Sequence, residues 1–192
     1  MSNLARIRMR FPAFGAIHFS ERHDRVIDAG AAAVLDAVGT LQVTEDPLIR
    51  AFLALRELPA RIKGGKPVTP FGLDRFTPLG REGNECLWYG LAGDFWKTDF
   101  GLRNRDIVAG LFHGRSVDCP LLLLEFTTEA LSPGRCRLVT RTRIFCPDPR
   151  ARRFMTLYWF CIRPASGLIR RRILKQIARR AETDGAGGCF SR

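Results

Sequence analysis

The segment LVTRTRIFCPDPRARRF, from Leu138 to Phe154, joins a strand pattern to a helix pattern and decides the fold. In its first half, arginine alternates with threonine and aliphatic residues, which is the period of two that a β-strand requires. The strand then stops at Pro147-Asp148-Pro149, where Asp148 can cap a first helical turn and Pro149 fits the first helical position. We therefore predict a strand followed directly by a long C-terminal helix.

A strand that precedes this one pairs with it as a hairpin. Leu121 to Ala130 is strand-like, Leu131 to Arg135 contains Pro133-Gly134, and Cys136 to Phe145 folds back. A turn centred on Pro133 predicts two cross-strand ion pairs, Glu125 with Arg141 and Glu129 with Arg137, and it sets Arg143 diagonal to Glu125. We expect these charges on the solvent face, where each exposed pair contributes about 0.2 to 1 kcal/mol.

The other face of the hairpin is apolar at both ends and hydroxylated in the middle. Threonine is uncommon in a packed core, because a buried hydroxyl needs a hydrogen-bond partner. This pattern has two interpretations that stay open: threonine is a good strand former, or the face lines a pocket. Its residues are Leu122, Leu124, Phe126, Thr128 and Ala130 on one strand and Cys136, Leu138, Thr140, Thr142 and Ile144 on the other.

The C-terminal helix is apolar on two stripes in its first half and basic in its second half. Pro164 predicts a kink or a break, because it removes the bond to the carbonyl four residues earlier. The basic arc consists of Arg171, Arg172, Lys175 and Arg179. We predict one domain over residues 1–182 and a disordered tail over 183–192.

Turn and cap signals divide the remaining chain into short elements. In the strand predicted from Glu85 to Trp96, alternate side chains lie on opposite faces. If Asp94 faces water, Trp88 and Trp96 face water too, and the side chains that face inward are Leu87, Tyr89, Leu91 and Phe95. We predict a strand or arm in residues 1–15, a strand from Ile17 to Asp28, helices from Gly30 to Val38 and Asp46 to Leu58, a hairpin of Phe76 to Arg81 with Glu85 to Trp96, and a short helix from Asp106 to Phe112.

Composition narrows the class of protein. At 192 residues and 46% hydrophobic content, the chain can bury one core without metal or disulfides. The six cysteines lack zinc-ligand spacing, so we expect packing roles, no metal and no cofactor. No apolar run resembles a signal peptide or a membrane span, so a cytoplasmic location is expected. The net charge of +12 would attract nucleic acid or anionic lipid, although arginine excess also arises from high-GC coding sequence.

Catalytic signatures are absent from the sequence. It contains no G-x-S-x-G, P-loop or G-x-G-x-x-G motif. His18 and His23 lie five residues apart on one strand, hence on opposite faces, and are a poor metal pair. His113 could act as a base if its loop borders the interior, although a solvated loop histidine is the simpler interpretation.

Three stretches resemble START-like proteins of the polyketide cyclase and Bet v 1 superfamily, in particular a bacterial branch of it. They are VIDAGAAAVLDAV (Val26 to Val38), GLAGDFW (Gly90 to Trp96) and the segment from Arg141 to Glu182. The sequence departs from the pattern at Gly30, where proline is usual, and at Leu35, where an aromatic residue often lies. No catalytic residue can be transferred, because members that catalyse use different side chains.

The resemblance implies an α+β helix-grip fold, in which a curved antiparallel sheet wraps a long C-terminal helix, here kinked at Pro164, with two short helices after the first strand. It also implies a ligand cavity between the sheet and that helix. Pockets of this kind are mostly apolar with a few polar groups. We expect the cavity to be lined by Tyr89, Leu91, Leu124, Phe126, Thr128, Leu138, Thr140, Thr142, Phe154, Tyr158 and Trp159.

Three functions follow as hypotheses. The first is binding of a small hydrophobic or amphipathic ligand in that cavity. The second is nucleic-acid or anionic-membrane binding through the basic arc of the C-terminal helix, with nucleic acid the less favoured partner. The third is a polyketide cyclase-like enzyme, which requires a titratable group inside the cavity.

Overall fold

The computed structural model describes residues 3–41, 73–97, 100–114 and 116–187. Within them, five antiparallel strands form one sheet in the order β1-β5-β4-β3-β2, and the long C-terminal helix packs against it. This is the predicted α+β helix-grip architecture. The elements are α1 Asn3–Arg10, β1 Phe19–Ile27, α2 Ala31–Gly39, a 3-10 turn at Leu73–Arg75, β2 Thr77–Glu82, β3 Cys86–Ala92, α3 Arg105–Phe112, β4 Leu121–Ser132, β5 Arg135–Phe145 and α4 Pro149–Gly187. The predicted helix from Asp46 to Leu58 lies outside the described residues.

The segment from Leu138 to Phe154 folds as predicted. In the β4–β5 hairpin, Glu125 lies opposite Arg141 and Glu129 lies opposite Arg137. At the start of α4, the backbone N–H of Ala151 donates to Oδ1 of Asp148 at 2.8 Å, which is the expected cap. Both features depend on residues close in sequence, and both are confirmed.

The two ends of the chain differ from expectation. The N-terminal segment was predicted as a strand or arm, but it begins with helix α1, because Ile7 and Phe11 are four residues apart and are buried together on one helical face. At the other end, α4 continues through Pro164 without a break and reaches Gly187. Packing of Ile173 and other residues on the far side of the proline outweighs the lost hydrogen bond. Residues 188–192 lie outside the described part of the chain.

The sheet is covered on both faces. The side that contacts α2 and α4 is called the helix face here; its core includes Ile27, Tyr89, Leu124, Phe126 and Leu138 from the strands, and Val34, Leu35, Met155, Ile173 and Ile177 from the helices. The opposite side packs against α1 and α3 and is called the second core; it includes Ile7, Phe11, Phe14, Trp88, Val108, Phe112, Leu121 and Leu123. Aromatic edges meet at its centre, where the Phe11 ring lies 6.0 Å from Trp88 and 5.6 Å from Phe112.

The second core overturns the expected solvent face. Glu125 is fully buried and Arg143 is 5% exposed, and Arg143 Nη1 lies 2.7 Å from Glu125 Oε2. Arg141 is only half-buried, with its Nη1 3.8 Å from the same oxygen. Trp88, which would face water if Asp94 set the solvent side of its strand, is 1% exposed. The prediction was wrong because α1 and α3 cover this side, and strand periodicity does not reveal a second covering layer.

Helix α1 is held to the sheet by cations stacked on Trp88. The guanidinium carbons of Arg6 and Arg10 lie 5.6 Å and 4.5 Å from the centre of its ring. Gly80 makes room for Arg10, since a Cβ there would lie 2.6 Å from Arg10 Nη2, and its φ of +130° suits glycine. Arg6 and Arg10 are therefore structural contacts between α1 and the sheet.

Candidate functional site

A polar group lies on the helix face where β1 meets the middle of α4. Glu21 and His23 have the same strand parity as Ile27, so they point toward α4. His23 Nε2 lies 2.7 Å from Glu21 Oε1, and the hydroxyl of Ser166 donates to Glu21 Oε2 at 3.1 Å. One carboxylate therefore joins an imidazole on the sheet to a hydroxyl on the helix.

Small residues let α4 approach this group closely. A Cβ on Gly167 would lie 3.4 Å from Glu21 Oε1 and 3.7 Å from Cε1 of His23, which is van der Waals contact. Arg170 follows one turn later, and burial lowers its pKa to about 10, while the charge of Glu21 acts in the opposite direction. Arg170 thus stays protonated at neutral pH, and its cation is stabilised by Glu21.

Two rows of side chains cross the helix face from this polar group into the apolar core. In the register of the sheet, Glu21 lies opposite Thr142, Thr142 opposite Leu124, and Leu124 opposite Tyr89. The neighbouring row is His23, Thr140, Phe126 and Leu87. Both rows change from ionisable to hydroxylated to apolar over three strand spacings, which is about 14 Å.

The Thr140 hydroxyl stands out in these rows. Thr140 is 1% exposed, and its Oγ1 has no hydrogen-bond partner among the described residues. A buried hydroxyl without a partner costs about 1 to 3 kcal/mol. At the apolar end, burial raises the pKa of Tyr89, so its phenol is neutral at physiological pH.

The structure places most of the predicted cavity residues on one surface. Seven are buried on the helix face: Tyr89, Leu91, Leu124, Phe126, Leu138, Thr140 and Thr142. Tyr158 and Trp159 are half-buried against the same core, and the Trp159 ring lies 5.8 Å from Phe19. Thr128 is half-buried and donates to the carbonyl of Asn84. Phe154 is 44% exposed and stacks on Trp96 at 5.6 Å, so it lies at the periphery.

The polar group itself was missed in the sequence. Parity with Ile27 was the available signal for Glu21 and His23, but nothing local connects them to Ser166, which is 145 residues away from Glu21. The histidine that was considered as a base, His113, is exposed and its ring lies 6.2 Å from Phe11. It lies on the α1 side of the sheet, so the simpler interpretation of a solvent-exposed histidine is confirmed and the alternative of a base on the helix face is not supported.

The chemistry open to the polar group is hydrogen bonding and proton transfer. Both oxygens of Glu21 accept hydrogen bonds, one from His23 and one from Ser166, so the imidazole does not lie between hydroxyl and carboxylate as a nucleophilic triad requires. Among the described residues, no three histidine, cysteine or acidic side chains gather where they could hold a metal. The cysteines in that part of the chain are free: Cys86, Cys119, Cys136 and Cys146 are buried, and Cys161 is exposed.

The predicted basic arc lies on the outer side of α4. Arg171, Lys175 and Arg179 are exposed, and Arg172 is half-buried. No helix within the described ranges is long and apolar enough to cross a membrane. Comparisons of the chain with protein-family models, curated proteins and solved structures find no match.

Proposed function

We propose that the protein binds a small amphipathic molecule between the helix face and α4, as a cytosolic carrier of the START-like kind. The polar end of the ligand would meet His23, Arg170 and the Thr140 hydroxyl. Its apolar body would lie along Leu124, Phe126 and Tyr89. An apolar molecule about 14 Å long, with a hydroxyl, carbonyl or carboxylate at one end, matches these rows.

The observation that carries the proposal is the graded composition of the two rows. A core that served only for packing would be expected to use valine in place of Thr140, because the hydroxyl is enclosed and has no partner among the described residues. The charged side of the β4–β5 hairpin was expected to face solvent, but Glu125 and Arg143 are buried there. Support for a ligand now comes from the helix face alone.

The test is a titration with fatty acids, isoprenoids and aromatic polyketides in which binding is monitored by tryptophan fluorescence. Trp159 contacts Phe19 beside the rows, so its emission should respond to an occupied site and the response should be lost in Trp159→Phe. The Thr140→Val variant keeps the shape and removes the hydroxyl. It should weaken binding about fivefold to tenfold, because one hydrogen bond is lost.

Thr77→Val is the matched control. Thr77 is 5% exposed and its hydroxyl also lacks a partner among the described residues, but it pairs with Gly90 on the side of the second core. Binding should be unchanged in this variant. Equal effects of the two substitutions, or no response to any member of the panel, would contradict a ligand site on the helix face.

A second candidate function is supported by the pair of His23 and Glu21. A cyclase-like enzyme needs a titratable group beside its substrate, and His23 held by Glu21 at 2.7 Å meets that requirement. His23→Gln separates the two functions, since a carrier should keep its ligand affinity within a few-fold, whereas an enzyme should also lose turnover of a bound polyketide. Absence of turnover in the wild type leaves the carrier function as the better proposal.

A further inference from the structure

The outer side of α4 carries an apolar stripe whose residues are exposed and belong to neither of the two cores. Phe160 is 82% exposed, Leu157 68% and Leu168 40%, and Cys161 and Pro164 are also exposed. We call these five residues the outer stripe. They follow the spacing i, i+3, i+4, i+7, i+11, so they occupy one helical face over about 16 Å.

The charged residues of α4 that flank the outer stripe are all basic. Arg153 precedes it on the same face, Arg163 lies beside it, and Arg171 and Lys175 continue the face beyond Leu168, all of them exposed. The sequence has no acidic residue between Asp148 and Glu182, and the chain as a whole carries a net charge of +12. A partner that covers this surface must therefore offer apolar groups to the stripe and negative charge to the basic residues around it.

We propose that the outer stripe of α4 docks on an anionic lipid bilayer. Leucine and phenylalanine side chains enter the boundary between head groups and acyl chains, while the arginines and lysine remain at the level of the phosphates. The helix lies flat in the interface, with its inner face still packed on the sheet. This surface acts independently of any ligand on the helix face.

Other occupants fit the surface less well. A second copy of the chain would bring Arg153, Arg163 and Arg171 of both copies together, and like charges across an interface are unfavourable. Nucleic acid would satisfy the cations but would leave Leu157 and Leu168 without an apolar partner, since its surface is dominated by phosphate. An anionic bilayer satisfies both kinds of side chain.

The experiment is co-sedimentation with vesicles of phosphatidylglycerol and phosphatidylcholine in equal parts, compared with pure phosphatidylcholine. The protein should bind the anionic vesicles, with affinity that falls as salt is raised. Leu157→Ser/Phe160→Ser should weaken binding about tenfold or more, because both side chains lose their apolar contact. Arg171→Gln/Lys175→Gln should weaken it about fivefold for each charge removed.

The control variant is Met9→Ser/Leu131→Ser. Met9 is 76% exposed and Leu131 46%, and both lie on other elements, so this variant loses a similar exposed apolar surface. It should bind like the wild type. All the substituted side chains are exposed, so each variant should fold. Circular dichroism with thermal unfolding is the measurement that checks this.

Cys161 provides a direct probe of depth, since it lies within the outer stripe. In a Cys189→Ser background, an environment-sensitive dye on Cys161 should shift its emission to the blue on anionic vesicles and not on neutral ones. Vesicle binding without that shift would overturn the proposal, because another surface would then be the one in contact. A dimer in sedimentation equilibrium that Phe160→Ser abolishes, or binding of duplex DNA without binding of vesicles, would also overturn it.

Discussion

Arg143 donates from Nη1 to Oε2 of Glu125 at 2.7 Å, with side-chain exposures of 6% and 1%. The Cys86 thiol lies 3.8 Å from the other oxygen of Glu125, and Arg141 approaches from the more open side. A charged group therefore lies within the second core, between the sheet and the layer formed by α1 and α3. Losing one partner of such a buried ion pair leaves the other partner charged in an apolar surrounding.

We predict that Arg143→Met lowers the free energy of unfolding by about 3 kcal/mol, because it removes the closest cation, at 2.7 Å, from the buried Glu125 carboxylate and leaves Arg141 at 3.8 Å. The double variant Glu125→Leu/Arg143→Met should recover most of this loss, since no buried charge without a close partner remains. A double-mutant cycle measured by urea unfolding gives the coupling.

The exposed pair of Arg137 and Glu129 on the same hairpin is the control. Its atoms are 3.4 Å apart and both side chains are open to solvent, so Arg137→Met should cost no more than about 1 kcal/mol. If the two arginine variants lose equal stability, Glu125 is not enclosed as described.

Local signals in the sequence were sufficient for the hairpin and the start of α4. The turn at Pro133-Gly134 determined the register of the hairpin, and Asp148 with Pro149 determined where the helix begins. Each of these signals consists of residues that are adjacent in the sequence. The covering of Glu125 could not be found in this way. It depends on α1, more than 100 residues earlier, whose Ile7 and Phe11 have a spacing that fits a helix but lie in a segment whose alternation resembles a strand.

The candidate site shows the same division. Its threonines, together with Leu124 and Phe126, were predicted from the alternation of β4 and β5, which is a property of one hairpin. The ionisable residues Glu21 and His23 were not predicted as part of the site, because they lie on an edge strand that pairs with β5 only in the folded sheet. Contact with Ser166 adds a helix from the far end of the chain. Such a group forms through tertiary structure and leaves no signature within any single segment.

Alkaline conditions should destabilise the protein through Cys86. Burial, with a smaller contribution from the Glu125 charge, raises the pKa of this thiol from 9.0 to about 12. Below pH 9 the thiol is protonated in both the folded and the unfolded chain, so its contribution to stability is fully present. Between pH 9 and about 12 only the unfolded chain releases the proton, and stability falls as pH rises.

The measurement is urea unfolding of wild type and Cys86→Ala from pH 7 to pH 11. The curves should run parallel below pH 9, and above it the wild type should lose up to about 1.4 kcal/mol per pH unit more than the variant. Parallel curves over the whole range would show that the thiol is not held protonated in the folded state.

The hydrogen bond from Ser166 to Glu21 should fasten the middle of α4 to β1. Removing it in Ser166→Ala should lower stability by about 1 kcal/mol, because Glu21 accepts it as a half-buried carboxylate. Ser20→Ala changes an exposed serine on the same strand and is the control. Unfolding curves that coincide for the two variants would indicate that the bond contributes nothing to holding the helix.

Gly90 tests how tightly α3 and β2 pack on the sheet. A Cβ at this position would lie 2.8 Å from Leu79 Cδ1 and 2.8 Å from Phe112 Cε2, so both side chains must move to admit a methyl group. Overpacking of this kind costs about 1 to 3 kcal/mol, and we expect Gly90→Ala to lose stability in that range. Gly30→Ala is the matched substitution, because it has nothing within 4 Å and a φ of −70° that alanine adopts readily. That variant should change stability by less than about 1 kcal/mol, because the lower entropy of the unfolded alanine chain is offset by the loss of glycine at the N-cap of α2. A stable Gly90→Ala protein with unchanged thermal unfolding would mean that α3 lies farther from β3 than the structure places it.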